Sequence, residues 1–195
     1  MLAWQMRCAM RMNLSRSKPP VRFTIFRSNY KWDTVGTALF LGLFSWFSAG
    51  LSGIVNATIA FDQVVHNTLF IVGHFHQMAL EGIGFAIIAA TYAWLPEFTG
   101  KKLYSDSLGK WHIWLTFVGQ MGASAFWMAQ GIQGAPRRWA VLPDQYLTLT
   151  HISLGFLAVL VAAQLVFAYN LWTTLRRSPF DDPTAVRVHG GTQAD

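Results

Sequence analysis

The sequence predicts an all-α membrane protein with four transmembrane helices. Of its 195 residues, 53% are hydrophobic and only 12% are charged, whereas about a quarter of the residues in a soluble domain carry charge. Four apolar runs, residues 35–59, 66–96, 111–133 and 147–175, each reach the roughly 20 residues that a spanning helix needs. The formal net charge of +6 lies mostly in short segments beside these runs, which favours a membrane lipid environment and no nucleic-acid partner.

The positions of lysine and arginine predict how the spans are oriented. A basic arm, residues 1–32, contains seven lysines and arginines. Three lysines lie in the connection near 97–110, and two arginines precede a polar tail, residues 178–195. In a four-span chain these regions share one side, so the positive-inside rule makes both termini cytoplasmic. The arm lacks the apolar core of a signal peptide, and its origin is uncertain.

A basic pair breaks this rule. Arg137 and Arg138, in GAPRRWAVLPDQY, lie in a loop that the topology places on the outer side. The pair either contacts lipid headgroups or recognises carboxylates or phosphates, since guanidinium groups bind both through paired hydrogen bonds.

The stretch VVHNTLFIVGHFHQMALEGIGF carries ionisable residues inside a predicted span, where they are costly and usually functional. His74 and His76 are two residues apart, so a helix rotates them by about 200° and they cannot chelate one ion together. Each can ligate a different centre, and a neutral imidazole is a good axial ligand of haem iron. His74 lies about 12 Å beyond His66 along a helix, which places haem propionates near the arginine pair. Hydrogen-bonded packing is the alternative for such histidines.

These residues carry a family resemblance. VHNTLFIVGHFH resembles the helix-ten signature of subunit I of haem–copper oxygen reductases, and GAPRRWAVLPDQY resembles the propionate-contacting loop of that family. FLGLFSWFSAGLSGIVNATIAFDQVVHNT is similar to helix nine, and HNT in place of HDT resembles the B-type, ba3-like branch. The resemblance covers residues 33–177. It implies helices nine to twelve, the C-terminal third, of a twelve-helix bundle in a prokaryotic inner membrane.

The resemblance also implies roles for single residues. His74 would be the axial ligand of the high-spin haem, and His76 would be the axial ligand of the low-spin haem. Arg137 and Arg138 would contact the haem propionates, and His66 would lie near them. Two haems are therefore the expected cofactors of this segment.

Other polar residues match the family less closely. Asn67 stands where the A-type branch has an acidic partner of a magnesium site, so no magnesium is predicted. Glu81 has no family role that we can assign, and it is either a protonated packing group or part of a proton path. We expect His112 to be an interfacial anchor, His151 to lie near the outer start of the last span, and His189 to be solvated.

The implied activity is the reduction of dioxygen to water, coupled to proton translocation. The family's copper ligands lie on earlier helices, so copper would be held by residues outside this chain. The expected partners are the remainder of oxidase subunit I, subunit II with its electron-donor site, and a small periplasmic donor such as cytochrome c or a copper protein. The chain would be a naturally split subunit or a truncated reading frame. The alternatives are part of a nitric oxide reductase of the same superfamily and a non-catalytic haem-binding membrane protein.

Overall fold

The computed structural model describes residues 32–177, and every element in this range is helical. A π-helical segment, Gln77–Ile83, joins two of the α-helices, and a 3₁₀ turn, Asp144–Tyr146, precedes the last one. The α-helices are α1 Thr34–Asn56, α2 Ile59–Val65, α3 Leu69–His76, α4 Gly84–Thr99, α5 Asp106–Ile132 and α6 Leu147–Arg176. The predicted polar tail and all of the predicted basic arm except Trp32 lie outside the described residues.

Three helices among the described residues are long and apolar enough to cross a membrane: Thr34–Asn56, Leu69–Thr99 and Asp144–Arg176. The remaining predicted span, residues 111–133, corresponds to α5, which has 27 residues but does not reach the same apolar composition. The physical reason is that α5 turns polar side chains toward its neighbours, burying His112, Thr116, Gln120, Ser124 and Gln130. Length and composition therefore support three of the four predicted spans.

The boundary between the first two predicted spans is wrong. The first helix ends at Asn56 rather than at 59, and the short helix α2 lies between the two long helices. The second long helix begins at Leu69 rather than at 66, because the Thr68 hydroxyl accepts a hydrogen bond from Phe70 N at 3.2 Å and caps it. A side-chain cap of this kind satisfies a backbone N–H that the first helical turn leaves free.

The long helices pack as alternating antiparallel neighbours. Helix α1 lies against the π segment and α4, while α5 packs against α3 on one side and α6 on the other. Glycine permits the closest of these approaches: a Cβ on Gly131 would come 1.9 Å from the backbone nitrogen of Phe70. A buried apolar cluster joins α1, α4 and α5, and consists of Ala38, Leu41, Phe85, Ala89, Tyr92 and Ile113.

Polar contacts tie the first turns of α1 and α5 together. Thr34 donates to the Asp106 carboxylate from its backbone nitrogen at 3.0 Å and from its hydroxyl at 2.7 Å. Lys110 forms an ion pair with the same carboxylate at 2.7 Å. Partial burial acts to raise the pKa of Asp106, but the hydrogen bonds and the charge of Lys110 outweigh it and lower that pKa. The predicted cytoplasmic ends of two helices are thus joined.

Candidate haem-binding site

The His74 side chain is half-buried between α3 and α1, and a hydroxyl orients its ring. Its Nδ1 lies 2.9 Å from Ser52 Oγ. That hydroxyl donates its single hydrogen to the carbonyl of Ala49 at 2.9 Å, so toward the ring it can only accept. Nδ1 therefore carries the proton, and Nε2 keeps its lone pair. The ring also packs against Gly53, whose added Cβ would lie 3.1 Å from His74 Cε1.

The His76 side chain has the same protonation pattern for a different reason. Its Nδ1 lies 2.8 Å from the carbonyl oxygen of Val72, one turn back on α3. A carbonyl can only accept, so Nδ1 donates and Nε2 again keeps a lone pair. The ring meets Phe75 and Trp127 edge-on, with centroids 5.5 Å and 5.1 Å away.

The two imidazoles contact different helices. His74 reaches α1 through Ser52, whereas His76 reaches α5 through Trp127. Each ring offers one basic nitrogen, oriented by a hydrogen bond from the other, which is the usual arrangement of a metal-ligating histidine. These donors fit two separate haem irons, and they fit a shared metal ion poorly. Within residues 32–177 no group of three or more His, Cys, Asp or Glu side chains could hold a metal ion.

The arginine loop is fastened to the start of the same long helix. The backbone nitrogen of Arg137 donates to the Asn67 carbonyl at 3.0 Å, and its Nη2 donates to Asn67 Oδ1 at 3.0 Å. An isolated antiparallel bridge pairs Thr68 with Pro136. The Nε of Arg137 is buried and has no hydrogen-bond partner among the described residues, so a donor remains for an anionic group such as a carboxylate.

Arg138 has an unusual backbone. Its φ is +67°, the single positive value among the non-glycine residues from 32 to 177. A left-handed conformation of a residue with a Cβ costs of order 1–3 kcal/mol and occurs often at ligand sites. The side chain is exposed.

The predicted site residues are thus brought together to different degrees. His66 precedes Asn67, the partner of Arg137, but its own ring is exposed and bonds to Asp62 Oδ2 at 3.1 Å. His151 is exposed on α6. His189 lies outside the described residues.

The interfacial role expected for His112 is wrong. Its side chain is completely buried, its Nδ1 lies 3.1 Å from the Tyr92 hydroxyl, and its ring stacks on Phe167 at 4.5 Å between centroids. The flanking residues Trp111 and Trp114 are exposed, so the helix turns the histidine inward and the tryptophans outward.

Sequence reasoning missed the two groups that orient the histidines. Ser52 precedes His74 by 22 residues, and no local pattern connects them. The Val72 carbonyl could have been foreseen, because a histidine ring in a helix can reach the carbonyl four residues back.

Known proteins resemble this chain over most of its length. The family described as cytochrome c and quinol oxidase polypeptide I matches residues 21–165. Cytochrome c oxidase subunit 1 of Corynebacterium diphtheriae is 34% identical over 165 residues, which is 82% of this chain and 29% of the relative. Cytochrome c oxidase polypeptide 1 of Halobacterium salinarum is 33% identical over 135 residues, 69% of this chain and 23% of the relative.

A solved structure shares the fold. It is a cryo-EM structure of a heme-copper terminal oxidase dimer, with a TM-score of 0.70 and 22% identity, and the match covers 91% of this chain and 32% of that one. The chain therefore spans between about a quarter and a third of the length of these proteins. On the extent of the family match and the identity to its relatives, this chain belongs to the cytochrome c and quinol oxidase polypeptide I family.

Proposed function

We propose that the chain is part of the catalytic subunit of a respiratory terminal oxidase, which reduces dioxygen to water and translocates protons. In this proposal it contributes helices nine to twelve of a twelve-helix bundle of the B-type branch, with α5 as the third of its four spans. His74 is the axial ligand of the high-spin haem and His76 is the axial ligand of the low-spin haem.

The observation that carries the proposal is that a neighbouring group contacts Nδ1 in both histidines. Ser52 and the Val72 carbonyl each engage Nδ1, so both rings present Nε2 while facing different helices. Two adjacent axial ligands on one helix need this arrangement, because each iron requires its own unprotonated nitrogen. A packing role alone would not require Nε2 to be unprotonated in both rings.

The haems, when bound, supply electron relay and the reduction of dioxygen. The chain's own residues hold and orient them. Ser52 fixes the tautomer and angle of the high-spin ligand, and Trp127 restrains the ring of the low-spin ligand. Arg137 offers its unpaired Nε, and Arg138 its exposed guanidinium, to the propionates. His66 lies near the propionates at the outer surface.

The remaining parts of the site come from other chains or segments. Residues outside this chain ligate the copper. They also supply the second axial ligand of the low-spin haem. The partners are the remainder of subunit I, subunit II with its electron-donor site, and a small periplasmic donor such as cytochrome c or a copper protein. The assembly lies in a prokaryotic inner membrane with both termini cytoplasmic.

The test is a reduced-minus-oxidised optical spectrum of membranes that contain the chain, with and without the reading frame immediately upstream. We expect low-spin and high-spin bands only when both are present. His76→Ala should remove the low-spin band and His74→Ala the high-spin band. His151→Ala, which removes an exposed imidazole from α6, is the matched control and should change neither. Spectra without haem bands in the complete pair would overturn the ligand assignments.

Oxygen consumption separates the activities. A terminal oxidase consumes dioxygen with a reduced donor, and a nitric oxide reductase of the same superfamily consumes nitric oxide instead. A non-catalytic haem protein shows the bands without either turnover.

A further inference from the structure

Glu81 is a buried carboxyl group that the haem site does not use. Its side chain is completely buried, and neither carboxyl oxygen has a hydrogen-bond partner in the described part of the chain. It lies in the π-helical segment Gln77–Ile83, inside a helix long enough to cross the membrane. Short π segments inside α-helices occur frequently at functional sites.

Glu81 is the last member of a polar row between two antiparallel helices. On α1 the row consists of Ser52, Ser48 and Ser45, and on the facing helix it consists of His74, Gln77 and Glu81. Both sets follow a spacing of three and four residues, which keeps side chains on one helical face. Ser52 Oγ lies 2.9 Å from His74 Nδ1, and Gln77 Nε2 donates to Ser48 Oγ at 3.2 Å. At the third position the Ser45 hydroxyl lies beside the Glu81 carboxyl without a well-formed hydrogen bond.

The buried polar atoms of this row without hydrogen-bond partners belong to its second and third positions. Ser45 Oγ, Gln77 Oε1 and both oxygens of Glu81 are buried without partners, while Gln77 Nε2 is engaged by Ser48 and by Met121 Sδ at 2.9 Å. Buried polar atoms in native proteins are almost always satisfied, by protein or by ordered water. Four unpaired atoms on three neighbouring side chains give bound water the several partners that it needs.

No nearby charge stabilises an ionised carboxylate here. Helix α1 contains no ionisable residue, and Glu81 forms no ion pair among residues 32–177. The ionisable groups on the other packed elements lie elsewhere or bond elsewhere: His74 to Ser52, His76 to Val72, Tyr92 to His112, Asp106 to Lys110, and Glu97 exposed. An unpaired charge at membrane depth is expensive, so the carboxyl group is neutral.

The row is open toward only one end. Beyond Glu81, one turn further along the helix, Phe85 is completely buried in the apolar cluster with Leu41 and Ala38. Toward the other end the row leads to His74, about 10 Å away along the helix. A proton that leaves Glu81 within this chain therefore has a polar route toward His74 and an apolar barrier toward the predicted cytoplasmic end.

We propose that Ser45, Gln77 and Glu81 form a buried water-binding site in which Glu81 is a protonated acid that exchanges its proton along the polar row. In the exchange, the O–H bond of the carboxyl group breaks, a bound water accepts the proton, and reversal of the same step restores the acid. No electron moves and no other bond changes. The site exists without haem. Its use as a proton store beside the redox centres rests on the proposed function.

The chain contains only two glutamates, Glu81 and Glu97, which makes the test direct. The full chain with Glu97→Gln, labelled with ¹³C-carboxyl glutamate and purified in lipid nanodiscs, reports Glu81 alone by infrared spectroscopy. We expect a carboxylic acid C=O band at neutral pH that shifts within minutes of transfer to D₂O. The labelled chain with Glu81→Gln, which keeps Glu97, is the matched control and should lack this carboxylic acid band.

A second variant tests the route. Gln77→Leu removes the middle of the row, and loss of its hydrogen bond to Ser48 should slow the D₂O shift about tenfold. A labelled band of ionised carboxylate would refute the proposal that Glu81 is protonated. An acid band that does not shift over a day would show that Glu81 has no contact with exchangeable water and serves only in packing. Exchange in the Gln77→Leu chain as fast as in its parent would exclude the polar row. These results do not depend on haem binding, so they are distinct from failure of the oxidase proposal.

Discussion

Ser52→Ala should loosen the high-spin haem and leave the low-spin haem in place. Ser52 Oγ is the acceptor that holds Nδ1–H of His74, at 2.9 Å. Alanine removes this oxygen and leaves a half-buried N–H unpaired, which costs about 1–3 kcal/mol. At about 1.4 kcal/mol per factor of ten, this is between about fivefold and about 150-fold in affinity. Removal of a group that orients a metal-ligating histidine usually costs about 10–100-fold, so we expect a loss in that range.

The assay compares haem retention in three membranes: the assembled wild type, Ser52→Ala and Ser48→Ala. Ser48 is the matched control, because it lies one turn away on the same face and accepts from Gln77 rather than from a histidine. The carbon monoxide difference spectrum reports the high-spin haem, and the reduced spectrum reports the low-spin haem. Equal high-spin loss in both serine variants would refute the reasoning. So would full retention in Ser52→Ala or a parallel loss of the low-spin band.

Three further predictions follow from the packing and from the helix ends. Gly53→Ala should tilt the His74 ring and weaken high-spin haem binding, since the new Cβ would lie 3.1 Å from Cε1, whereas Gly50→Ala, with nothing within 4 Å, should leave the spectrum unchanged. The pKa of Asp106 is lowered in the folded chain, so its stabilisation is complete above about pH 4 and is lost as pH falls through the lowered pKa. Asp106→Asn should remove that part of the acid dependence of thermal unfolding, at most about 1 kcal/mol because the carboxylate is half exposed. Gly131→Ala should destabilise the chain by about 1–3 kcal/mol in the same measurement, because it forces apart two helix backbones.

The long helices could be predicted because their apolar runs reach the roughly 20 residues that a membrane-spanning helix needs. Their ends could not, because they depend on single contacts. The predicted spans leave residues 60–65 between them, yet the helices break on either side of α2, and the second break is made by the Thr68 cap. Hydropathy averages over a window and does not detect one hydroxyl group.

Helix α5 shows the opposite error. His112 was expected at the membrane interface, but it is buried with other polar residues of this helix, Thr116, Gln120, Ser124 and Gln130. Gln120 Nε2 donates within the helix to Ser124 Oγ at 3.0 Å, and between helices Gln164 Nε2 of α6 donates to Thr116 Oγ1 at 3.2 Å. The composition of a helix does not reveal which face its neighbours cover, so the inward turn of His112 required the structure.

The sequence predicts that the two histidine rings point to different sides of the helix, but it does not predict which nitrogen of each ring is unprotonated. Two residues of separation on a helix necessarily send the rings to different sides. Which nitrogen each ring leaves free depends on an acceptor 22 residues away in one case and on a backbone carbonyl in the other. The polar row was not identified from the sequence. Serines at 45, 48 and 52 have the same spacing as residues 74, 77 and 81. Polar side chains on neighbouring apolar helices are least costly in a membrane when they face each other. The equal spacing therefore favours a structure in which the two sets of polar side chains face each other. Glu81 is therefore not an isolated anomaly, because the polar row that contacts His74 at one end holds a buried acid at the other.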